Sequence, residues 1–329
     1  MSRQKSKNRR YAWWLFVGLF SALITSPNAL FLKIATSQID GFTMPLLRSI
    51  VLVIALLPTV TVASVRYRKQ IKKAKKDILI AAVCLGSCTV AFAIAIYLGP
   101  ASHVQIVALL TPILLVVFVA KIIHEKIKRR AKLGIVVAAI GGLLAVALPA
   151  IAGKAMSSSF NVLQILFALA NSVLYALALV YLRRSREQGV PIFVVVILSG
   201  FVTIILAIMG GLAFSKVPML EQIRSLNWTG WLIVLFNGLI VGILSRILSV
   251  SSYRHIDAAV AGGIEYLNTI LGIMLPLVVL GEKLSPELIG GGLLMLIGIY
   301  VAEGHKHMHR HRFGIRYKNK DPEPELMVE

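Results

Sequence analysis

An all-α polytopic membrane protein, with ten transmembrane helices arranged as two inverted five-helix repeats, is the fold class this sequence predicts. Three observations predict it. Of the 329 residues, 57% are hydrophobic and 15% charged, and the mean hydropathy is +0.82; a soluble domain carries roughly 45–50% apolar and about 25% charged residues. Uncharged runs from Tyr11 to Leu32, Leu133 to Gly153, Ala155 to Leu182 and Gln188 to Ser215 each reach the ~20 residues that cross a ~30 Å hydrocarbon core. Finally, one punctuation occurs twice, 157 positions apart: an apolar run, Glu125-Lys126, then Gly134 and Gly141 matches an apolar run, Glu282-Lys283, then Gly291 and Gly298. Upstream, Ala101, Leu110, Ile113 and Leu114 align without a gap with Ala258, Leu267, Ile270 and Leu271. Internal duplication of an apolar chain is a recurring plan of secondary transporters.

The spans fall at about 12–32, 44–65, 78–98, 101–121, 133–152, 161–182, 191–214, 229–249, 258–280 and 284–303. They divide the chain into a basic cytoplasmic tail (1–11), a first repeat (12–152), a second repeat (153–303) and a mixed basic and acidic cytoplasmic tail (304–329). Span one is too long for a signal-peptide apolar region, and Pro27-Asn28 interrupts it where a cleavage motif would stand, so it is read as retained. Five spans per repeat is an odd number, which requires the second repeat to enter the membrane upside down relative to the first.

Charge orients the molecule. The net charge is +21, but the basic residues lie between apolar runs, which points to membrane orientation rather than nucleic acid. With the N-terminus inside, 28 of the 35 lysines and arginines fall on the inner side, five outside, and two, Arg48 and Arg246, within spans. A multi-pass protein of the cell membrane with both termini cytoplasmic follows.

Ionisable and amide side chains inside spans mark candidate sites, because a central charge costs ~2.5–3.5 kcal/mol even on insertion scales. In span one, Asn28 follows the backbone break at Pro27, a device that lines cavities or is buried by neighbours. Arg48 in span two has no local partner; it either snorkels outward or places a fixed positive charge at a cavity. Lys33, nearer a span end, reads as a snorkelling side chain. Cys84 and Cys88 share one helix face and read as inert. His103 and Gln105 open span four, Asn171 and Tyr175 share a face of span six, and Asn237 stands alone in span eight. Arg246 lies about nine residues before the turn at Arg254-His255 and Glu265 about ten after it, so both sit ~13–16 Å deep on antiparallel neighbours. They read as one pair, structural or lining a substrate cavity. Tyr266 and Asn268 follow Glu265 within a turn.

Small residues Gly134, Ala138 and Gly142 on span five, and Gly298 with Ala302 on span ten, predict close helix packing. In the tail, His305, His307, His309 and His311 alternate with Lys306, Met308 and Arg310. Flanking cations oppose metal capture there, and a basic tail beside anionic lipid is the better reading, with no metal and no cofactor expected. The chain has no G-x-x-x-x-G-K-[ST] loop for ATP, no TVGYG-type filter and no recognisable enzyme constellation. No catalytic residue is expected, and the chain reads as a non-enzyme.

Two stretches carry a resemblance to a known family. Ala108-Leu109-Leu110-Thr111-Pro112 leading to His124-Glu125-Lys126, and Tyr266-Leu267-Asn268-Thr269 leading to Leu280-Gly281-Glu282-Lys283, make residues 12 to 303 resemble the drug/metabolite transporter superfamily and its EamA-type members. The second stretch departs from the family pattern, with Thr269 where proline is frequent and Asn268 where glutamate is. The resemblance implies a ten-span carrier and allows subunit contacts, hence a homodimer, through spans five and ten.

The function expected from these readings is secondary transport of a small metabolite, amino-acid-like or anionic, most simply outward, by alternating access around a midplane cavity. Asn28, Arg48, His103, Gln105, Asn171, Tyr175, Arg246, Glu265, Tyr266 and Asn268 are the candidate substrate contacts, and membrane lipids the surrounding partner. A flippase for a lipid-linked substrate on the same fold is the alternative.

Overall fold

The computed structural model describes residues 2–124, 129–151, 161–253, 256 and 258–303, and every regular element among them is a helix. Seven helical stretches are long and apolar enough to cross a membrane: Tyr11–Ala35, Thr43–Ala63, Lys75–Leu98, Ala101–Ile122, Val162–Glu187, Ile192–Phe214 and Trp228–Ser249. Shorter apolar helices cover Lys132–Leu144, Leu267–Leu280 and Pro286–Gly298. Among the described residues, seven stretches of spanning length and three shorter apolar helices lie where ten spans are expected.

Proline and glycine set the breaks. The first span is α1 (Ser2–Thr25) and α2 (Asn28–Ala35), parted by a turn at Ser26-Pro27, because proline has no N–H to continue the ladder. Next come α3 (Thr43–Arg66), the short α4 (Arg68–Lys73) and α5 (Lys75–Leu98). Gly99-Pro100 ends α5. α6 (Ala101–Ala108) and α7 (Thr111–Ile122) then share one span, with Pro112 in the first turn of α7. α8 (Arg129–Ile151) closes the first repeat. The second holds α9 (Val162–Glu187), α10 (Ile192–Phe214) and the short α11 (Met219–Ser225). One continuous path then runs through α12 (Trp228–Leu235), a π-helical segment (Phe236–Leu244) and α13 (Ser245–Tyr253), before α14 (Ala258–Leu280) and α15 (Pro286–Glu303).

Packing follows a pattern. α3 lies on α10, α8 on α15, and α6 on α14; α5 lies on α9 as α1 lies on α13; α5 meets α10 as α3 meets the π segment. Exchanging the two repeats maps each of these contacts onto itself or onto another. Hydrogen bonds fix the two ends of the bundle. At one end Asn161 Nδ2 donates to the Leu98 carbonyl (3.2 Å) and Gln222 Oε1 accepts from the Asp40 N–H (2.8 Å). At the other, Gln188 Nε2 donates to Asp77 Oδ2 (2.8 Å) and Arg184 pairs with the same carboxylate (3.4 Å). Basic residues crowd the second end, at Arg66 to Lys76 and Arg183 to Arg186.

The core is built from small and branched side chains. Ala29, Leu32, Met44, Ala93, Ile96, Val104, Val107, Ala168 and Val234 form its largest buried cluster, joining α2, α3, α5, α6, α9 and α12. Large apolar side chains such as Leu212, Phe214 and Val278 face outward, which suits a hydrocarbon solvent.

The small-residue ridges of spans five and ten pack on each other within the chain. A Cβ on Gly298 would meet the backbone of Ala138 and, at 2.6 Å, the Gly134 carbonyl; one on Gly141 would meet the Gly291 carbonyl and the Met295 N–H nitrogen, each at 2.7 Å. Backbone-to-backbone approach of this kind is what small residues permit.

Candidate functional site

Arg48 and Arg246 line one small pocket, together with Ser49, Leu52, Leu85, Thr89, Val196, Ser199, Gly200 and Thr203. Arg48 lies five residues into α3, about 8 Å from the Asn161–Leu98 end; Arg246 lies 18 residues along the path from Trp228, about 27 Å from that same end. The side chains therefore reach the pocket from opposite directions, and it sits near mid-depth. Arg48 is 9% exposed, so it does not snorkel. Its reach is inward because α10 packs close: a Cβ on Gly200 would meet Val53 Cγ2 at 2.7 Å, and one on Gly86 would meet the Ser199 carbonyl at 2.8 Å.

Three of the four hydroxyls around the pocket already donate to helix carbonyls. Thr89 Oγ1 donates to Leu85 (2.9 Å), Ser199 Oγ to Val196 (2.7 Å) and Thr203 Oγ1 to Ser199 (2.8 Å). Donor capacity left for a ligand thus resides in the two guanidinium groups, each with five N–H donors, and in the Ser49 hydroxyl. Among the described residues, no carboxylate lines this pocket and no hydrogen bond or ion pair reaches either guanidinium. The Glu265 and Tyr266 side chains lie outside the described residues, and with them the expected Arg246–Glu265 pair. Arg246 shares its pocket with Arg48 of the other repeat.

A second polar cluster closes the Asn161–Leu98 end. Glu282 accepts from the N–H groups of Ala101 and Ser102, one carboxylate oxygen each, at 2.8 Å. These are the first orphan donors of α6, whose own N-cap, Pro100, offers no side-chain acceptor. Lys33 Nζ donates to the carbonyls of Ile96 (3.0 Å) and Gly99 (2.8 Å), the last acceptors of α5. The expectation that Lys33 snorkels is corrected: orphaned carbonyls within reach are better partners than a distant interface. Gln164 Nε2 donates to the Pro100 carbonyl at 2.7 Å. The α5–α6 break is thus held by α2, α9 and the α14–α15 turn. Asp40 adds a tie between the repeats, accepting from Ser215 and Gln222 and from the Thr43 N–H. Burial alone would raise its carboxyl, but those hydrogen bonds outweigh it and hold the group below its ordinary value. A depressed carboxyl gives a tie that persists at neutral pH and is lost as pH falls through its lowered value.

The other sequence candidates distribute between these places. His103, 3% exposed, joins the end cluster, with Nε2 3.4 Å from the Lys283 carbonyl and no partner at Nδ1. Gln105 crosses from α6 to α14, where a Cβ on Gly272 would meet its amide nitrogen at 3.2 Å. Asn28 begins α2 with its Oδ1 buried and unpartnered, and Asn237 in the π segment is fully buried with its Oδ1 likewise. Asn171 is buried on α9; Tyr175, further along, is half-buried against the Cys84–Cys88 cluster. Asn268 is half-buried on α14. The structure joins Arg48 with Arg246 and sets His103 apart from them. Glu282, Gln164 and Asn161 carry roles the sequence reading did not assign, although the repeated Glu-Lys punctuation had singled out Glu282.

Broken and π-distorted helices in a bundle with apolar outer walls define a polytopic membrane protein. The EamA-like transporter family model matches residues 12–147 and 162–303, and the chain belongs to that family: it is a membrane transporter made of two EamA repeats. Fifteen chains of solved structures match. One, described only as "Crystal structure of protein", is 21% identical with a TM-score of 0.56, covering 89% of this chain and 96% of its own, and it shares the fold. A search of curated proteins finds no match.

Proposed function

We propose that the protein is a secondary transporter that exports a small amino-acid-like or anionic metabolite by alternating access. The observation that carries this reading, given the family, is a mid-depth pocket reached by one arginine from each repeat and from opposite ends. Ten spans in two inverted halves support rocking about a central axis, and the exchange symmetry of the helix contacts supports that arrangement. The Glu282 cluster and the Asp40 ties join the repeats at one end, so this conformation is closed there. The Asp77–Arg184 end, where the basic residues gather, is assigned to the cytoplasm together with both termini.

Asn28, Gln105, Asn171, Tyr175, Tyr266 and Asn268 supply hydrogen bonds along the solute path. Glu265 balances Arg246 or accepts a proton or an ammonium group. His103 acts at the closed end. Lipid covers the outer walls, and a homodimer would use the outward faces of spans five and ten, since their ridges are occupied within one chain.

Counterflow tests the reading. Proteoliposomes preloaded with one of a panel of amino acids and small carboxylates should take up the same radiolabelled solute from outside, saturably, for at least one panel member. Uptake of none, with transfer of a fluorescent lipid between leaflets instead, would overturn it in favour of a lipid flippase.

A further inference from the structure

We infer that the Arg48–Arg246 pocket is the binding site of a halide-sized inorganic anion, held as a counter-ion beside the solute path. The inference rests on the transporter reading but concerns a different ligand. Three observations carry it. Two guanidinium groups from different repeats face one pocket near mid-depth, and Arg48 is more than nine-tenths buried. Like charges sharing a weakly polar site repel, and the buried Arg48 guanidinium, which no hydrogen bond or ion pair reaches among the described residues, carries a penalty of several kcal/mol. An anion between them relieves both terms at once.

Size selects the anion. In this closed conformation the pocket has room for about one water molecule, which admits a halide, whereas a larger solute needs the site to widen as the bundle opens. Leu52, Leu85 and Val196 close its apolar sides. Lining chemistry agrees, because the three hydroxyls with assigned partners are already donating to helix carbonyls. What remains are the guanidinium donors and the Ser49 hydroxyl, which together call for an acceptor. A single negative charge cancels one of the two positive charges. The other is left to attract an anionic or zwitterionic solute.

The test uses the full-length protein in lipid nanodiscs, with sodium chloride, bromide or acetate titrated against sodium isethionate at fixed ionic strength. Chloride and bromide should raise the Tm saturably. Arg48→Gln and Arg246→Gln should each lose that response, while Lys69→Gln, in the exposed α4 turn, should keep it. Arg48→Lys retains the charge without the fork, so it should bind more weakly yet still respond; it serves if the glutamine variants fold poorly. Crystals grown in bromide should show an anomalous peak between the two guanidinium groups. A flat halide response in the parent, or one that survives both glutamine substitutions, would overturn the inference. So would acetate stabilising the parent while chloride does not, which would make the pocket the seat of a solute carboxylate. Counterflow separates this from the transporter reading: solute exchange unchanged in isethionate with no halide shift sinks the anion site alone, whereas loss of exchange for every solute in chloride sinks transport.

Discussion

Replacing Glu282 by alanine is expected to destabilise the protein and open the end of the bundle that it closes. The carboxylate satisfies two orphan N–H groups at the start of α6, each at 2.8 Å. Hydrogen bonds to a charged group contribute about 1.5–3 kcal/mol apiece. Glu282 is only partly buried, so solvent screening takes the pair to the lower end, about 2 kcal/mol in total. The favourable position at a helix N-terminus is included in that figure. Glu282→Gln keeps one acceptor and loses the charge, so its loss should fall between parent and alanine. Thermal denaturation in nanodiscs orders the three proteins. The cap joins Glu282 of one repeat to α6 of the other. Its removal should therefore also increase labelling of a Ser102→Cys probe by an impermeant thiol reagent. Equal Tm and equal labelling in all three proteins would remove Glu282 from any closing role.

Gly298→Val should cost more than Gly290→Val or Gly292→Val on the same helix, α15. Its new Cβ would strike backbone atoms of Ala138 and Gly134 on α8, and backbone has no rotamer by which to move aside. Overpacking a tight interface costs about 1–3 kcal/mol when side chains can yield, so about 3 kcal/mol is expected here. Gly290→Val is the matched control, since nothing lies within 4 Å of its added Cβ. The first variant should yield little monodisperse protein and a lowered Tm, and the control should behave as the parent. Parity between the two would show that α8 and α15 do not depend on this close approach.

The apolar runs made the helices legible, because length and hydropathy are local properties of a chain in lipid. Pro27 made the first break legible for the same reason. The π segment was not: Phe236 to Leu244 contains no proline, and its two glycines, Gly238 and Gly242, also occur in straight helices. Its cause is tertiary, for a Cβ on Gly238 would meet Val51 Cγ1 at 2.7 Å and one on Gly242 would meet Leu52 Cδ1 at 2.9 Å. Depth along a span picked out Arg48 and Arg246 separately. Matched depth on adjacent helices is what register can express, and it is what links Arg246 to Glu265, whose side chain lies outside the described residues. That Arg48 lines the same pocket as Arg246 depends on α3 meeting the π segment that leads into α13, which no local pattern encodes. The same holds for Glu282 and Ala101, 181 positions apart. The repeat flagged Glu282, but not which helix end it would satisfy.

Alternating access, as proposed, requires a mid-depth site exposed to each side of the membrane in turn. Ser199 lines the pocket and is 7% exposed, so Ser199→Cys in a Cys84→Ala, Cys88→Ala background is the most direct probe. An impermeant thiol reagent is applied separately to each face of oriented vesicles. Labelling from both faces is expected, with Glu282→Ala raising the rate from the end that Glu282 closes and lowering it from the other. Labelling from one face only, unaffected by Glu282→Ala, would contradict alternating access.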